Sequence, residues 1–164
     1  MKKLRILVID DKPENIASAI EQLENKYDLT TTSSYEEVKE LLNDSIWNDD
    51  EKEWQPCPPR FDVVLTDLFL PAVKSGERTA DKREEHPYGL IFILMAIKAG
   101  VKMIGIVSSQ NHHQNSFYHA IGDLISYTGG RPREYGQTLL HGLCLYGTKR
   151  WNEVLEELIN YSRK

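Results

Sequence analysis

Leu4-Arg5-Ile6-Leu7-Val8-Ile9-Asp10-Asp11-Lys12-Pro13 is the stretch whose reading decides the fold. Residues 4–9 are an apolar run rich in branched side chains, the pattern of a strand buried on both faces of a parallel sheet. The run stops at Asp10-Asp11, and Pro13 follows where a first helical turn tolerates a missing N–H. Ile16, Ile20, Leu23 and Tyr27 then recur at helical spacing. The opening is therefore a strand, two carboxylates and a helix.

The same unit repeats outward from there. Leu29 to Thr32 is β-prone, and Ser34 with Glu37 has capping-box spacing ahead of Val38, Leu41 and Leu42. Asn43 to Arg60 is acidic and ends in Pro56, Pro58 and Pro59, which reads as a long connection. Phe61 to Asp67 gives a third strand, again closed by a carboxylate. Pro71 to Pro87 is charged without an apolar stripe and reads as an inserted loop. Residues 89–99, apolar nearly all round and closed by Gly100, suit a buried helix or else a strand. Val101 to Val107 is the fourth strand, ending at Ser108-Ser109, and Phe117, Ala120, Ile121, Leu124 and Ile125 mark the helix after it. Tyr127 to His141, with Gly129-Gly130, Pro132 and Gly136, reads as another loop before a fifth strand at Leu143–Tyr146. Trp151, Val154, Leu155, Leu158 and Ile159 define the last helix. Five strand–helix repeats predict an α/β protein with a doubly wound parallel sheet: one domain, 1–164, with inserted loops near 43–60, 72–87 and 127–141.

Composition narrows the function. Among 164 residues, 40% hydrophobic and 27% charged describe an ordinary globular domain, long enough for one core. A net charge of −5, with no Lys/Arg run beyond two residues, argues against direct nucleic-acid binding. The apolar stretch after Lys2-Lys3 is too short for a signal peptide, and nothing approaches a membrane span. Cys57 and Cys144, without a CxxC, fit a reducing cytoplasm.

In a parallel sheet the carboxyl ends of the strands line one edge, so Asp10, Asp11, Asp67, Ser108 and Lys149 are expected to converge there. Carboxylates about 4 Å apart repel by roughly 4 kcal/mol per pair at an effective dielectric near 20. A cation relieves this, and hard oxygen ligands suit Mg²⁺, with Mn²⁺ the alternative. The same ion neutralises an incoming phosphoryl group, which makes Asp67 the candidate nucleophile. Lys149 and the Ser108 hydroxyl are placed to contact phosphate oxygens.

These residues resemble the response-regulator receiver domains of two-component signalling. Ile6-Leu7-Val8-Ile9-Asp10-Asp11-Lys12-Pro13-Glu14-Asn15 looks like the receiver opening, whose acidic pair holds Mg²⁺. Asp67-Leu68-Phe69-Leu70-Pro71 is similar to the family's D-x-x-[ML]-P segment, which implies that Asp67 is the phosphoacceptor and that Phe69 offers its backbone carbonyl to the metal. Ser108-Ser109 matches the hydroxyl residue after the fourth strand, and Tyr146, three before Lys149, matches the aromatic position that changes rotamer on activation. Ser108 and Tyr146 are thus the implied switch pair. Two positions depart from the pattern: Arg150 stands where the family usually has proline, and Tyr88-Gly89 replaces an Asp-Gly. The resemblance implies a flavodoxin-like sheet of five strands in order 2-1-3-4-5 with helices on both faces. It also implies a sensor histidine kinase or phosphotransfer protein as donor, and no enzymatic turnover beyond self-catalysed phosphorylation and dephosphorylation.

Only Asn160 to Lys164 follow the last apolar stripe, so a stand-alone receiver signalling to a downstream protein is the expectation. The alternative is a receiver-like binding module that works without phosphorylation. A phosphatase of the haloacid-dehalogenase type fits less well, because Asp10-Asp11 lacks D-x-D spacing. His112, His113 and His119 complete no zinc pattern. Trp47, Trp54 and Trp151 read as packing residues, with partner anchoring the other reading for Trp47 and Trp54, which flank an acidic loop.

Overall fold

The computed structural model describes residues 3–71, 85–86, 88–108, 131–144 and 148–164. Its centre is a sheet of β1 (Arg5–Ile9), β2 (Asp28–Thr32), β5 (Val63–Thr66), β8 (Met103–Ser108), β9 (Arg133–Tyr135) and β10 (Thr138–Cys144), in the order β2-β1-β5-β8-β10-β9. All pairs are parallel except β10 with β9. The expected five strands are therefore six, and the order gains an antiparallel edge.

The strands are apolar throughout because both faces are covered. Ile6, Val8, Val63 and Leu65 face one core with α1 (Pro13–Leu23) and α4 (Trp151–Ser162). Leu7, Ile9, Val64, Ile104 and Ile106 face the other, with α2 (Tyr35–Leu41) and α3 (Tyr88–Lys98). Four helices are thus present among the described residues, and none is long and apolar enough to cross a membrane.

Local signals account for most helix boundaries. Pro13 opens α1. The Ser34 hydroxyl accepts from the Glu37 N–H at 3.4 Å to start α2. Glu37 does not reach back as a capping box would: its carboxylate takes the Thr32 hydroxyl, and Thr32 Oγ1 accepts the Ser34 N–H. Residues 89–99 are a helix, not a strand. It closes with the Gly100 N–H on Ile97 O and the Val101 N–H on Ala96 O, both 3.0 Å, the paired bonds of a Schellman end.

Three loop assignments change. Within 43–60, β3 (Ser45–Asn48) and β4 (Glu53–Pro56) form a two-stranded hairpin. At the mouth of the 72–87 insertion, β6 (Leu70–Pro71) pairs with β7 (Glu85–His86); residues 72–84 and 87 lie outside the described residues. Within 127–141, β9 turns into β10 through Gly136-Gln137, with Gly136 at φ +61°, so the fifth parallel strand begins at Thr138 rather than Leu143. The helix expected from Phe117 to Ile125, the three loop histidines and Tyr146 also lie outside the described residues.

Candidate functional site

Strand register delivers the acidic residues to one place. Ile9 lies level with Thr32 on one side and Thr66 on the other. One residue further, the Asp10 N–H donates to Thr32 O at 3.2 Å and the Asp67 N–H to Ile9 O at 3.0 Å. Both chains then leave the sheet, so their carboxyls share the pocket beyond it. Carboxylate oxygens of Asp10, Asp11 and Asp67 lie within 4.8 Å of one another.

Each carboxylate has a different environment. Asp10 is fully buried; its Oδ1 accepts from the Lys12 N–H and Asn15 Nδ2, both at 2.9 Å. Asp67 Oδ1 accepts from the N–H groups of Leu68 at 2.6 Å and Phe69 at 3.3 Å. Lys149 Nζ donates to the other oxygen of each, Asp10 Oδ2 and Asp67 Oδ2, both at 2.5 Å. Asp11 is left over: its buried Oδ1 has no hydrogen-bond partner among the described residues.

Repulsion between Asp10 and Asp67 is thus offset by the protein's own ammonium group, where sequence reasoning assigned that role to a bound ion. If all four groups are ionised, three carboxylates and one lysine still leave a net charge of −2. Burial, then the Asp10 charge, pushes the Asp11 carboxyl above its ordinary range. Burial also raises Asp67, and the Lys149 charge works against it.

Lys149 is buried, and hydrogen bonds from α1 hold the segment that opens α4. Gln22 Nε2 donates to Lys149 O at 2.9 Å, Gln22 Oε1 accepts the Asn152 N–H at 3.2 Å, and Trp151 Nε1 donates to Asn15 O at 3.2 Å. The Lys149 ammonium lies 5.3 Å from the centre of the Trp151 ring. Trp151, read from the sequence as packing, also flanks the cation.

Ser108 closes β8, buried and level with Cys144 on β10. Phe69 is buried two residues past Asp67, and its N–H caps the Asp67 carboxylate. Sequence reasoning missed Asn15, one turn into α1, whose fixed spacing from Asp10 was the available signal. It also missed that Gly89 is packed against the Asp67 loop. The Gly89 N–H donates to Leu68 O at 3.0 Å, and a β-carbon there would lie 2.1 Å from Asp67 O.

The donor set consists of hard oxygens, with one buried carboxylate oxygen lacking a partner among the described residues, and such a set could hold a metal ion. Asp10, Asp11 and Asp67 are the residues that can hold it. Comparison with protein-family models, with curated proteins and with solved structures returns no match.

Proposed function

We propose that this chain is a phosphoacceptor receiver of the response-regulator type, on a flavodoxin-like sheet, in which Asp67 is phosphorylated. The observation that carries the reading is the buried Asp10–Lys149–Asp67 bridge beside the unpartnered Asp11 oxygen. Such a site lacks about two positive charges, which a divalent cation supplies. A third carboxylate held beside this pair adds repulsion, moderated by the Lys12 charge, that a bound cation would relieve.

Asp10, Asp11 and Asp67 hold Mg²⁺, or Mn²⁺ in its place, together with the Phe69 carbonyl. When bound, the cation neutralises negative charge on the transferred phosphoryl group. An Asp67 carboxylate oxygen forms the bond to phosphorus while the bond from phosphorus to the donor's histidine nitrogen or acyl oxygen breaks, and the electron pair leaves with the donor. Lys149, released from part of its bridge, pairs with a phosphoryl oxygen, and the Ser108 hydroxyl donates to another. Ser108 and Tyr146 then carry the change to a downstream protein surface. A sensor histidine kinase or phosphotransfer protein is the donor class, and the cytoplasm is the compartment that goes with this reading.

Thermal unfolding of wild type and Asp67→Asn with Mg²⁺ and beryllofluoride tests this. At ligand about 100-fold above Kd, wild type is expected to gain roughly 5–10 °C and Asp67→Asn to gain much less. Incubation with acetyl phosphate and Mg²⁺ should add one phosphoryl group to wild type alone. A wild-type protein indifferent to both reagents leaves the phosphorylation-independent binding module as the better account.

A further inference from the structure

The β3–β4 hairpin stands in the connection between α2 and β5, and among the described residues its strands pair with each other and with no third strand. An isolated two-stranded hairpin is marginal in water, so its cross-strand pairs must hold it. Trp47 lies directly opposite Trp54, with ring centres 5.7 Å apart in an edge-to-face arrangement. That contact leaves Trp47 47%, Trp54 65% and the adjacent Ile46 58% exposed, so the hairpin's largest apolar side chains lie outside both core clusters of the described residues.

An exposed ion pair links the base of the hairpin to the last residue of α3. The Cys57 N–H donates to Asp44 O at 2.8 Å across the hairpin base, and Lys98 Nζ pairs with the Asp44 carboxylate at 3.1 Å. Lys98, Leu94 and Ile91 follow i, i−4, i−7 spacing and share one side of α3. Leu94 is 61% and Ile91 40% exposed. Exposed apolar side chains on the helix thus share a side with the lysine that meets the hairpin base, and exposed apolar residues grouped in this way mark an interaction site.

Charge selects the occupant. From Asp49 to Glu53 the hairpin carries four acids (Asp49, Asp50, Glu51, Glu53) against Lys52, a net of −3. A second copy would bring like charges together in a two-fold contact, on a chain whose net charge is already −5. Anionic lipid would be repelled as well. Aromatic anchors inside an acidic rim complement an apolar surface rimmed by Lys and Arg. We propose that the β3–β4 hairpin and the exposed side of α3 form a docking surface for a partner protein that presents an apolar segment flanked by basic residues. Docking here needs no phosphorylation of Asp67.

A fluorescein-labelled amphipathic peptide of Leu and Lys at helical spacing, and its Leu/Glu counterpart, serve as probes read by anisotropy. The Lys peptide is expected to bind saturably, to weaken as salt rises, and to lose about 10-fold or more in affinity with Trp47→Ala/Trp54→Ala. The Asp50→Lys/Glu53→Lys variant, which changes only exposed side chains, should shift preference toward the Glu peptide. Equal binding of both peptides, or Lys-peptide binding untouched by either variant, overturns the proposal. So does a Trp-dependent dimer in sedimentation, which would make the occupant a second copy.

Discussion

Asp11 is the residue on which the candidate site turns. Its buried oxygen has no partner among the described residues, and its neighbours Asp10 and Asp67 share the Lys149 ammonium. Asp11→Asn removes a charge that burial and the Asp10 carboxylate disfavour and that Lys12 offsets in part, so that variant should be more stable without divalent cations by about 1 kcal/mol. The same change should abolish the thermal shift produced by Mg²⁺. Lys149→Met acts in the opposite direction: it leaves two buried carboxylates uncompensated and should cost about 3–5 kcal/mol in denaturant unfolding without added cation. If Lys149→Met unfolds like wild type, the bridge carries no weight in the native state. At this scale the sequence was readable wherever position along a strand decides the outcome. Asp10 and Asp67 could be placed because each directly follows an apolar run. The clamp of Asn15 and Gln22 on the Lys149–Trp151 segment was not legible, because it depends on which helices become neighbours.

Among the elements, the junction of β5 with α3 controls where Asp67 points. Gly89 lets the first turn of α3 lie against the backbone of Asp67 and Leu68, and an added methyl would meet Asp67 O at 2.1 Å and Leu68 Cα at 2.7 Å. Both are backbone atoms, so relief requires the loop or the helix to move. Gly89→Ala should therefore lose about 1–3 kcal/mol and slow phosphorylation by acetyl phosphate, while an exposed change on the same helix, Leu94→Ala, should do neither. Normal phosphorylation in Gly89→Ala would mean that the loop tolerates displacement. Three helices, α1, α2 and α4, were legible, whereas 89–99 stayed open between helix and strand; α4 carries an unbroken stripe, and Trp151, Val154, Leu155 and Leu158 are its buried residues. The hairpins were not. Acidic and proline-rich composition masked β3–β4, whose signal was the aromatic residue on either side of the turn. Glycine and buried polar residues masked the start of β10, where Thr138 and His141 sit inside the sheet. Thr138 can do so because its hydroxyl donates to Val101 O at 2.8 Å.

For the whole molecule, stability should follow pH through groups of opposite sign. His141 is fully buried on β10, and its Nε2 meets the Glu157 carboxylate of α4. Burial pulls its pKa below 6.5, with Glu157 working against the shift. The unfolded chain then binds that proton more readily than the native one. The His141 contribution is thus complete above 6.5 and is lost as pH falls through the lowered native value. Asp11 and Asp67 run the other way. Burial raises both above 3.8, so their contribution is complete below that value and is lost as pH rises through the raised native values. A divalent cation favours the ionised carboxyls and should recover the second loss, so the Mg²⁺-induced gain in melting temperature should grow with pH. Asp44, lowered mainly by its hydrogen bond from Lys98, loses its contribution only as pH drops below 3.8, outside the histidine window. Melting curves from about pH 4 to about pH 8, with and without Mg²⁺, separate these effects. His141→Gln should flatten the decline just below 6.5 and leave the Mg²⁺ response intact, whereas Asp11→Asn should do the reverse. An unchanged acid limb in His141→Gln would place the proton uptake on some other group, and the packing of α4 against β10 would then carry no pH dependence of its own.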